Sequence, residues 1–168
     1  AAPRLEELKQ IGLEGTLLDL KNYFDKKEEL AKELATYDAV YIAGGNTFVL
    51  RRAMFDSGFD EVILSLLKED KIVYGGWSAG SCVAAPTLIG IELMDVPTQV
   101  QKVYNKEPVW EGLNLVPYSI VPHYQSAHEE TKLADSAVEF FKKENIPIKA
   151  LRDGQVIIVD GGEGQIAE

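Results

Sequence analysis

An α/β fold, with a mostly parallel sheet covered by helices on both faces, is predicted by the alternation of two patterns along the chain. Short apolar runs at 39–43, 72–74 and 119–121 have the length and composition of buried strands. Between and after them, apolar residues recur at helical spacing, as in 59–67 and 133–141. Strands that alternate with helices in this way predict parallel strands joined by helical crossovers.

A single domain is predicted for residues 1–168, since this length is enough to bury one core. Apolar residues make up 46% of the chain, which argues against disorder. The stretch 95–117, with its three prolines, is interpreted as an excursion over the surface and not as a second domain. Because the chain does not begin with Met and opens within a helical pattern at 5–11, we expect its N-terminus to be incomplete.

The charge and the cysteine content exclude several classes of function. A formal net charge of −10 argues against a surface for nucleic acid or anionic membranes. No apolar run has the length of a membrane span. The single cysteine, Cys82, forbids an internal disulfide and a Cys-based zinc site, and this composition suits a reducing compartment.

Three further local patterns predict secondary structure towards the two ends of the chain. The segment 15–20, GTLLDL, predicts a strand. Asp25, with Glu28 three residues later, predicts an N-cap and a capping box at the start of the next helix. Near the C-terminus, Asp153-Gly154 lies between two apolar runs and predicts the turn of a β-hairpin.

Three candidate functional segments lie at the carboxyl ends of the three apolar runs. They are Gly44-Gly45-Asn46, Ser78 and His123. Ligands of open parallel sheets bind beyond the carboxyl ends of the strands. We therefore expect the three segments to converge on one site.

Ser78 lies in a G-x-S-x-G motif formed by Gly76, Trp77, Ser78, Ala79 and Gly80. Between a strand and a helix, this motif makes a nucleophile elbow, a sharp turn in which flanking glycines let the serine project outward. The N–H group of Ala79 then faces the same space and can help to bind an oxyanion. A plain tight turn is the alternative interpretation.

A nucleophilic serine needs a base, and His123 and His128 are the only histidines. His123 follows a predicted strand and is the better candidate, whereas His128, in the polar segment AHEETK, is interpreted as a solvated side chain. The acid that would orient the imidazole is left open among Asp95, Asp153 and Glu92. For Asp153, a role in the turn alone competes with catalysis.

The turn Gly44-Gly45-Asn46-Thr47 lacks the spacing of the G-x-G-x-x-G and P-loop motifs. The N–H group of Gly45 is instead interpreted as a second oxyanion donor. Cys82 lies in the predicted helix after Ser78, where it is interpreted as a small buried apolar residue.

Five segments together resemble the peptidase E family of aspartyl dipeptidases, which is related to cyanophycinase. They are AGGNTFVL, GWSAGS followed by APT, DVP, VPHY and LRDG, in this order from about residue 40 to the C-terminus. The resemblance implies a flavodoxin-like three-layer α/β sandwich, akin to class I glutamine amidotransferase domains. It also implies that the family's N-terminal strand, helix and strand are missing from this chain.

The resemblance further implies a serine peptidase that cleaves dipeptides or short peptides, with N-terminal Asp as the candidate first residue. The family's triad runs serine, histidine, acid along the chain, which matches Ser78 as nucleophile and His123 as base. The acid falls on Asp153 in LRDG, and Asp95 in DVP is the alternative. In α/β-hydrolases the acid precedes the histidine, so this order separates the two classes.

The implied binding residues surround this triad. The oxyanion donors are the N–H groups of Gly45 and Ala79, and Asn46, Thr47 and Lys132 are the expected substrate-binding residues. The family's arginine for the substrate aspartate matches Lys132 in EETK, which supplies charge without the bidentate fork. We expect a cytoplasmic enzyme whose substrate is a small peptide. A homodimer is the candidate assembly. No metal, cofactor, nucleic acid or membrane is expected to take part.

Two other functions are compatible with the same residues. An esterase or amidase would use the same triad, and activity on esters but not on peptides would distinguish it. A catalytically silent member would bind a small ligand or another subunit, and it would not react with a serine-directed fluorophosphonate.

Overall fold

The first part of the chain is mainly helical. The computed structural model describes residues 2–162 and 164–168, with residues 2–4 described by their backbone alone. Its elements up to residue 68 are α1 (Ala2–Gln10), a 3-10 turn (Leu20–Tyr23), α2 (Lys27–Leu34), β1 (Ala39–Ile42), α3 (Thr47–Ser57) and α4 (Phe59–Lys68).

The second part alternates short strands with helices. Among the described residues, no helix is long and apolar enough to cross a membrane. The elements are β2 (Val73–Gly76), α5 (Ala79–Cys82), a second 3-10 turn (Ile91–Leu93), α6 (Gln99–Tyr104), β3 (Ser119–Val121), α7 (Thr131–Lys143), β4 (Ile148–Ala150), β5 (Val156–Ile158) and β6 (Gln165–Ala167).

The strands form two parallel pairs and one antiparallel ribbon. β1 pairs with β2 in parallel, with Ala39 opposite Val73, and β3 pairs with β4 in parallel, with Ser119 opposite Ile148. Helices α3 and α4 connect the first pair and α7 connects the second, which is the crossover that parallel strands require. β5 and β6 form the antiparallel ribbon. The predicted α/β fold with mostly parallel pairing is confirmed.

One hydrophobic cluster packs beneath the segments that carry the candidate functional residues, on their buried side. Helix α7 buries one face, which packs against Phe48 of α3, Cys82 of α5 and Val121 of β3. Each of these three residues lies within a few positions of a candidate functional segment. Complete burial of a side chain such as Phe48 stabilises the fold by about 2–3 kcal/mol. The buried face of α7 comprises Ala134, Ala137, Val138 and Phe141, at helical spacing.

Two predictions near the N-terminus are wrong. Residues 15–20 form no strand, because Asp19 caps the 3-10 turn instead, its side chain accepting a hydrogen bond of 3.0 Å from the Lys21 N–H. Asp25 does not cap α2, whose N-cap is Lys26. Asp25 has a φ of 59°, and its N–H donates to the Asp56 carbonyl at 3.1 Å. A tertiary contact therefore overrides the local capping pattern.

The predicted C-terminal hairpin is also wrong. The Asp153-Gly154 turn is present, but β4 before it pairs with β3, and β5 after it pairs with β6. The Leu151 N–H donates to the Val121 carbonyl at 2.9 Å and continues the parallel pairing beyond β4. The apolar run before the turn thus pairs with β3, which is distant in sequence, and the turn places Asp153 beside His123.

Candidate active site

The candidate site forms where three strands end. Ser78 lies two residues beyond β2, His123 two residues beyond β3, and Asp153 three residues beyond β4. Because β3 and β4 are paired in parallel, with Val121 opposite Ala150, the chain leaves both strands in the same direction. This pairing brings His123 and Asp153 together although thirty residues separate them.

Ser78 occupies a strained turn that glycines make sterically feasible. Its φ of 53° and ψ of −117° lie where residues with a side chain are rare. A Cβ at Gly76 would lie 2.2 Å from the Gly80 carbonyl oxygen, and one at Gly80 would lie 2.3 Å from the Ile42 carbonyl oxygen. Both glycines are therefore required by close backbone approach, and the turn has the form of a nucleophile elbow.

The imidazole of His123 joins Ser78 to Asp153. Its Nδ1 lies 2.7 Å from Asp153 Oδ1, and its Nε2 lies 3.2 Å from Ser78 Oγ. An ionised carboxylate can only accept, so the proton of the neutral ring belongs on Nδ1. Nε2 then presents a lone pair to the Ser78 hydroxyl. The His123 side chain is 3% exposed, whereas that of Asp153 is 48% exposed.

The segment after His123 folds back and forms hydrogen bonds to the backbone of both His123 and Asp153. The Thr131 hydroxyl lies 2.9 Å from the His123 carbonyl oxygen and 2.7 Å from that of Ser126. The Asp153 N–H donates to Ser126 Oγ at 2.8 Å. Sequence reasoning missed Ser126 and Thr131, because their contacts depend on how this loop meets the end of β4.

The turn between β1 and α3 packs directly against the elbow. A Cβ at Gly44 would meet the Trp77 ring at 3.0 Å and Ser78 Cβ at 3.1 Å, so this approach needs glycine. Gly45 is exposed and has a φ of 140°. Ala79 is the first residue of α5, where a backbone N–H has no acceptor within the helix. Two predicted oxyanion donors thus belong to backbone segments that border Ser78.

The start of α3 is capped by hydrogen bonds that involve Asn46, Thr47 and Asp95. Asn46 Oδ1 accepts from the N–H groups of Phe48 and Val49, at 3.1 and 3.0 Å. Thr47 is fully buried, and its N–H and hydroxyl both donate to Asp95 Oδ2, at 2.8 and 2.5 Å. These bonds satisfy N–H groups that a helix start leaves unpaired. Substrate contacts of Asn46 and Thr47 stay predictions.

The remaining acid and cation candidates lie in different surroundings. Glu92 is exposed and accepts a local hydrogen bond of 2.6 Å from the Gly90 N–H. Lys132 is exposed in the first turn of α7, close in sequence to the loop that covers His123. The structure therefore brings Asp153 to His123, while Glu92 and Asp95 have partners of their own.

The interpretation of His128 as a solvated side chain is wrong. Its ring is half-buried and stacks on His123, with centroids 3.8 Å apart and planes 10° apart. The neighbouring Glu130 places Oε2 3.8 Å from His123 Nε2. The polar composition of AHEETK hides this arrangement, because the loop folds onto His123 through Thr131, a contact that no periodicity reveals.

Cys82 is buried within α5, as predicted. Burial raises the pKa of its thiol to about 12, so the thiol stays protonated at neutral pH. A protonated thiol is a weak nucleophile. The Cys82 thiol is therefore a poor candidate nucleophile, and the Ser78 hydroxyl is the side chain of this segment that lies beside the His123 ring, 3.2 Å from Nε2.

A strand-end serine in an elbow, a buried imidazole and a carboxylate on an α/β fold make a site of the serine-hydrolase type. The model of Peptidase family S51 matches residues 4–167, and the chain belongs to this family. Peptidase E of Streptomyces coelicolor is 30% identical over 149 residues, which cover 86% of this chain and 57% of that protein. The Drosophila melanogaster protein named "Probable alpha-aspartyl dipeptidase" is 30% identical over 140 residues, covering 80% of this chain and 55% of that protein.

A solved structure has the same fold. The crystal structure of a candidate peptidase E protein from Listeria monocytogenes EGD-e superposes with a TM-score of 0.80 and 27% identity. The match covers 96% of this chain and 74% of that one. The chain therefore spans about half the length of the curated relatives it matches and three quarters of the crystallised one.

Proposed function

We propose that this chain is a serine peptidase that hydrolyses dipeptides or short peptides through Ser78, His123 and Asp153. The observation that carries the proposal is the line of hydrogen-bonded groups from Asp153 through His123 to Ser78, at 2.7 and 3.2 Å. Membership of Peptidase family S51 supports it. The strained backbone of Ser78 supports it further, because such strain is concentrated at functional sites.

The proposed reaction begins with attack by Ser78 Oγ on the scissile carbonyl carbon, while His123 Nε2 takes the hydroxyl proton. The carbonyl becomes an oxyanion, which the N–H groups of Gly45 and Ala79 would bind. His123 then gives its proton to the leaving amine and the peptide C–N bond breaks. Water releases the acyl group by the same steps with the same base.

Asp153 has two tasks in this proposal. It keeps the proton of the neutral ring on Nδ1, so that Nε2 can accept from Ser78. It also stabilises the imidazolium that forms when Nε2 takes the proton.

The names of the relatives suggest the first substrates to test. A panel of Asp-Leu, Ala-Leu and p-nitrophenyl acetate separates the candidate activities, with Ser78→Ala as the matched control. We expect hydrolysis of at least one dipeptide by the wild type and none by the variant. Turnover of the ester without either dipeptide would support an esterase. No turnover of any of the three, together with no reaction with a fluorophosphonate, would overturn the proposal in favour of a silent binding protein.

A further inference from the structure

Two side chains of types that can bind metal ions, those of His128 and Glu130, lie beside the His123 ring, whose Nε2 the proposed reaction needs. His128 stacks on His123 with centroids 3.8 Å apart, and Glu130 Oε2 lies 3.8 Å from His123 Nε2. Ligand atoms of these three residues all lie within 4.8 Å of one another. Of these three residues, only His123 takes part in the proposed hydrolysis, which therefore does not explain why His128 and Glu130 lie beside it.

The backbone holds the two additional ligands in place. Glu130 directly precedes α7, whose Thr131 hydroxyl lies 2.9 Å from the His123 carbonyl oxygen. The Glu130 N–H donates to Nδ1 of His128 at 3.2 Å. Nδ1 of His128 is therefore the unprotonated nitrogen of the neutral ring, and a metal ion bound there would replace the hydrogen bond from the Glu130 N–H.

Two imidazoles and one carboxylate form a donor set typical of Zn²⁺. Tetrahedral ligands of Zn²⁺, bound at about 2.0–2.2 Å, lie about 3.3 Å apart. Ligand atoms that now lie within 4.8 Å of one another must come closer to reach that spacing. The stacked rings must tilt apart, since a metal ion binds in the plane of each imidazole. His128 can turn because it is half-buried in the loop before α7, whereas the His123 ring is held by Asp153.

We propose that His123, His128 and Glu130 bind one Zn²⁺ ion and that this ion reversibly blocks hydrolysis. Nε2 of His123 would donate its lone pair to the metal and could no longer take the Ser78 proton. The loss of activity rests on the proposed function of Ser78 and His123. The binding itself depends only on the three ligands and can be measured without any substrate.

Calorimetric titration of Zn²⁺ into the Ser78→Ala variant tests the binding, because this variant keeps all three ligands. We expect one site per chain. His128→Ala and Glu130→Gln should each weaken its affinity by about tenfold or more, a loss typical of altered metal sites. Glu129→Gln is the matched control, since this exposed neighbour is outside the cluster. Mg²⁺ and Ca²⁺, which prefer oxygen ligands, should not compete.

Labelling of Ser78 by a fluorophosphonate tests the inhibition. Zn²⁺ should slow labelling of the wild type, EDTA should restore it, and the same Zn²⁺ should change the rate in His128→Ala much less. Equal Zn²⁺ affinity of the wild type, His128→Ala and Glu130→Gln would overturn the metal site. Tight binding with unchanged labelling would overturn the inhibition. Binding as expected in a chain that never labels would support the metal site and overturn the hydrolytic function instead.

Discussion

Asp153 and Ser78 lie against opposite nitrogens of the same imidazole, Asp153 Oδ1 at 2.7 Å from His123 Nδ1 and Ser78 Oγ at 3.2 Å from Nε2. The two residues come from different strand ends and meet only through this ring. The ring itself is buried, which protects its orientation. The order of the three groups in the chain is serine, histidine, acid.

Replacing Asp153 by asparagine separates its structural role in the turn from its proposed role in orienting His123. The turn needs the φ of 92° at Gly154, which Asp153→Asn leaves in place, so this change should alter the free energy of unfolding by less than about 0.5 kcal/mol. The amide would favour the wrong tautomer of His123 and should lower kcat by about 10³- to 10⁴-fold. Steady-state kinetics and thermal unfolding measure the two effects. Activity within tenfold of the wild type would remove Asp153 from the triad.

Asp95→Asn should show the opposite pattern. Asp95 Oδ2 accepts two hydrogen bonds from Thr47 at the start of α3, and a carboxylate there is favoured by the helix dipole. We expect denaturant unfolding to report a loss of about 1–2 kcal/mol, with a much smaller loss of kcat than for Asp153→Asn. Glu92→Gln is the control, since Glu92 has only a local bond on an exposed turn. A larger catalytic loss for Asp95→Asn would identify Asp95 as the acid.

Gly80→Ala tests the packing of the elbow. The added Cβ would lie 2.3 Å from the Ile42 carbonyl oxygen, which is part of β1. We expect the free energy of unfolding to fall by about 1–3 kcal/mol. Gly162→Ala is the matched control, because a Cβ there meets nothing within 4 Å, and it should be neutral. Equal unfolding curves for the two variants would mean that β1 and the elbow are less closely packed than described.

Lys132 tests the specificity for acidic substrates. If its ammonium binds the side chain of an N-terminal Asp, Lys132→Ala should lower kcat/KM for Asp-Leu about tenfold more than for Ala-Leu. Lys143→Ala is the control, since it removes the same charge at the far end of α7. Equal losses on both dipeptides would exclude Lys132 from substrate binding.

The sequence predicts those parts of the site that depend on residues adjacent to them in the chain. The glycines around Ser78 identify the elbow, and the apolar runs before Ser78 and His123 place both residues at strand ends, where the structure also has them. Their assigned roles stay predictions. The position of Asp153 depends on the parallel pairing of β3 with β4, which the local Asp-Gly signal misrepresents as a hairpin.

Other features depend on how the chain folds back on itself, which no local pattern contains. His128 lies in a polar segment, yet its ring stacks on His123, because the chain after His123 folds back and Thr131, beyond His128, bonds to the His123 carbonyl. Asp25 has the sequence of a helix cap, but its N–H bonds to the Asp56 carbonyl and the helix begins without it. For Asp25, a tertiary contact outweighs a local N-cap preference worth about 1 kcal/mol.

The central claim, that His123 activates Ser78 as a nucleophile, is tested most directly by mass spectrometry after reaction with a fluorophosphonate. We predict one adduct per chain on Ser78, none in Ser78→Ala, and labelling slowed by orders of magnitude in His123→Ala. Ser65→Ala is the control, since Ser65 is an exposed serine on α4 whose hydroxyl bonds to Glu69 and not to a residue of the site. An adduct on another residue, or undiminished labelling in His123→Ala, would contradict the account.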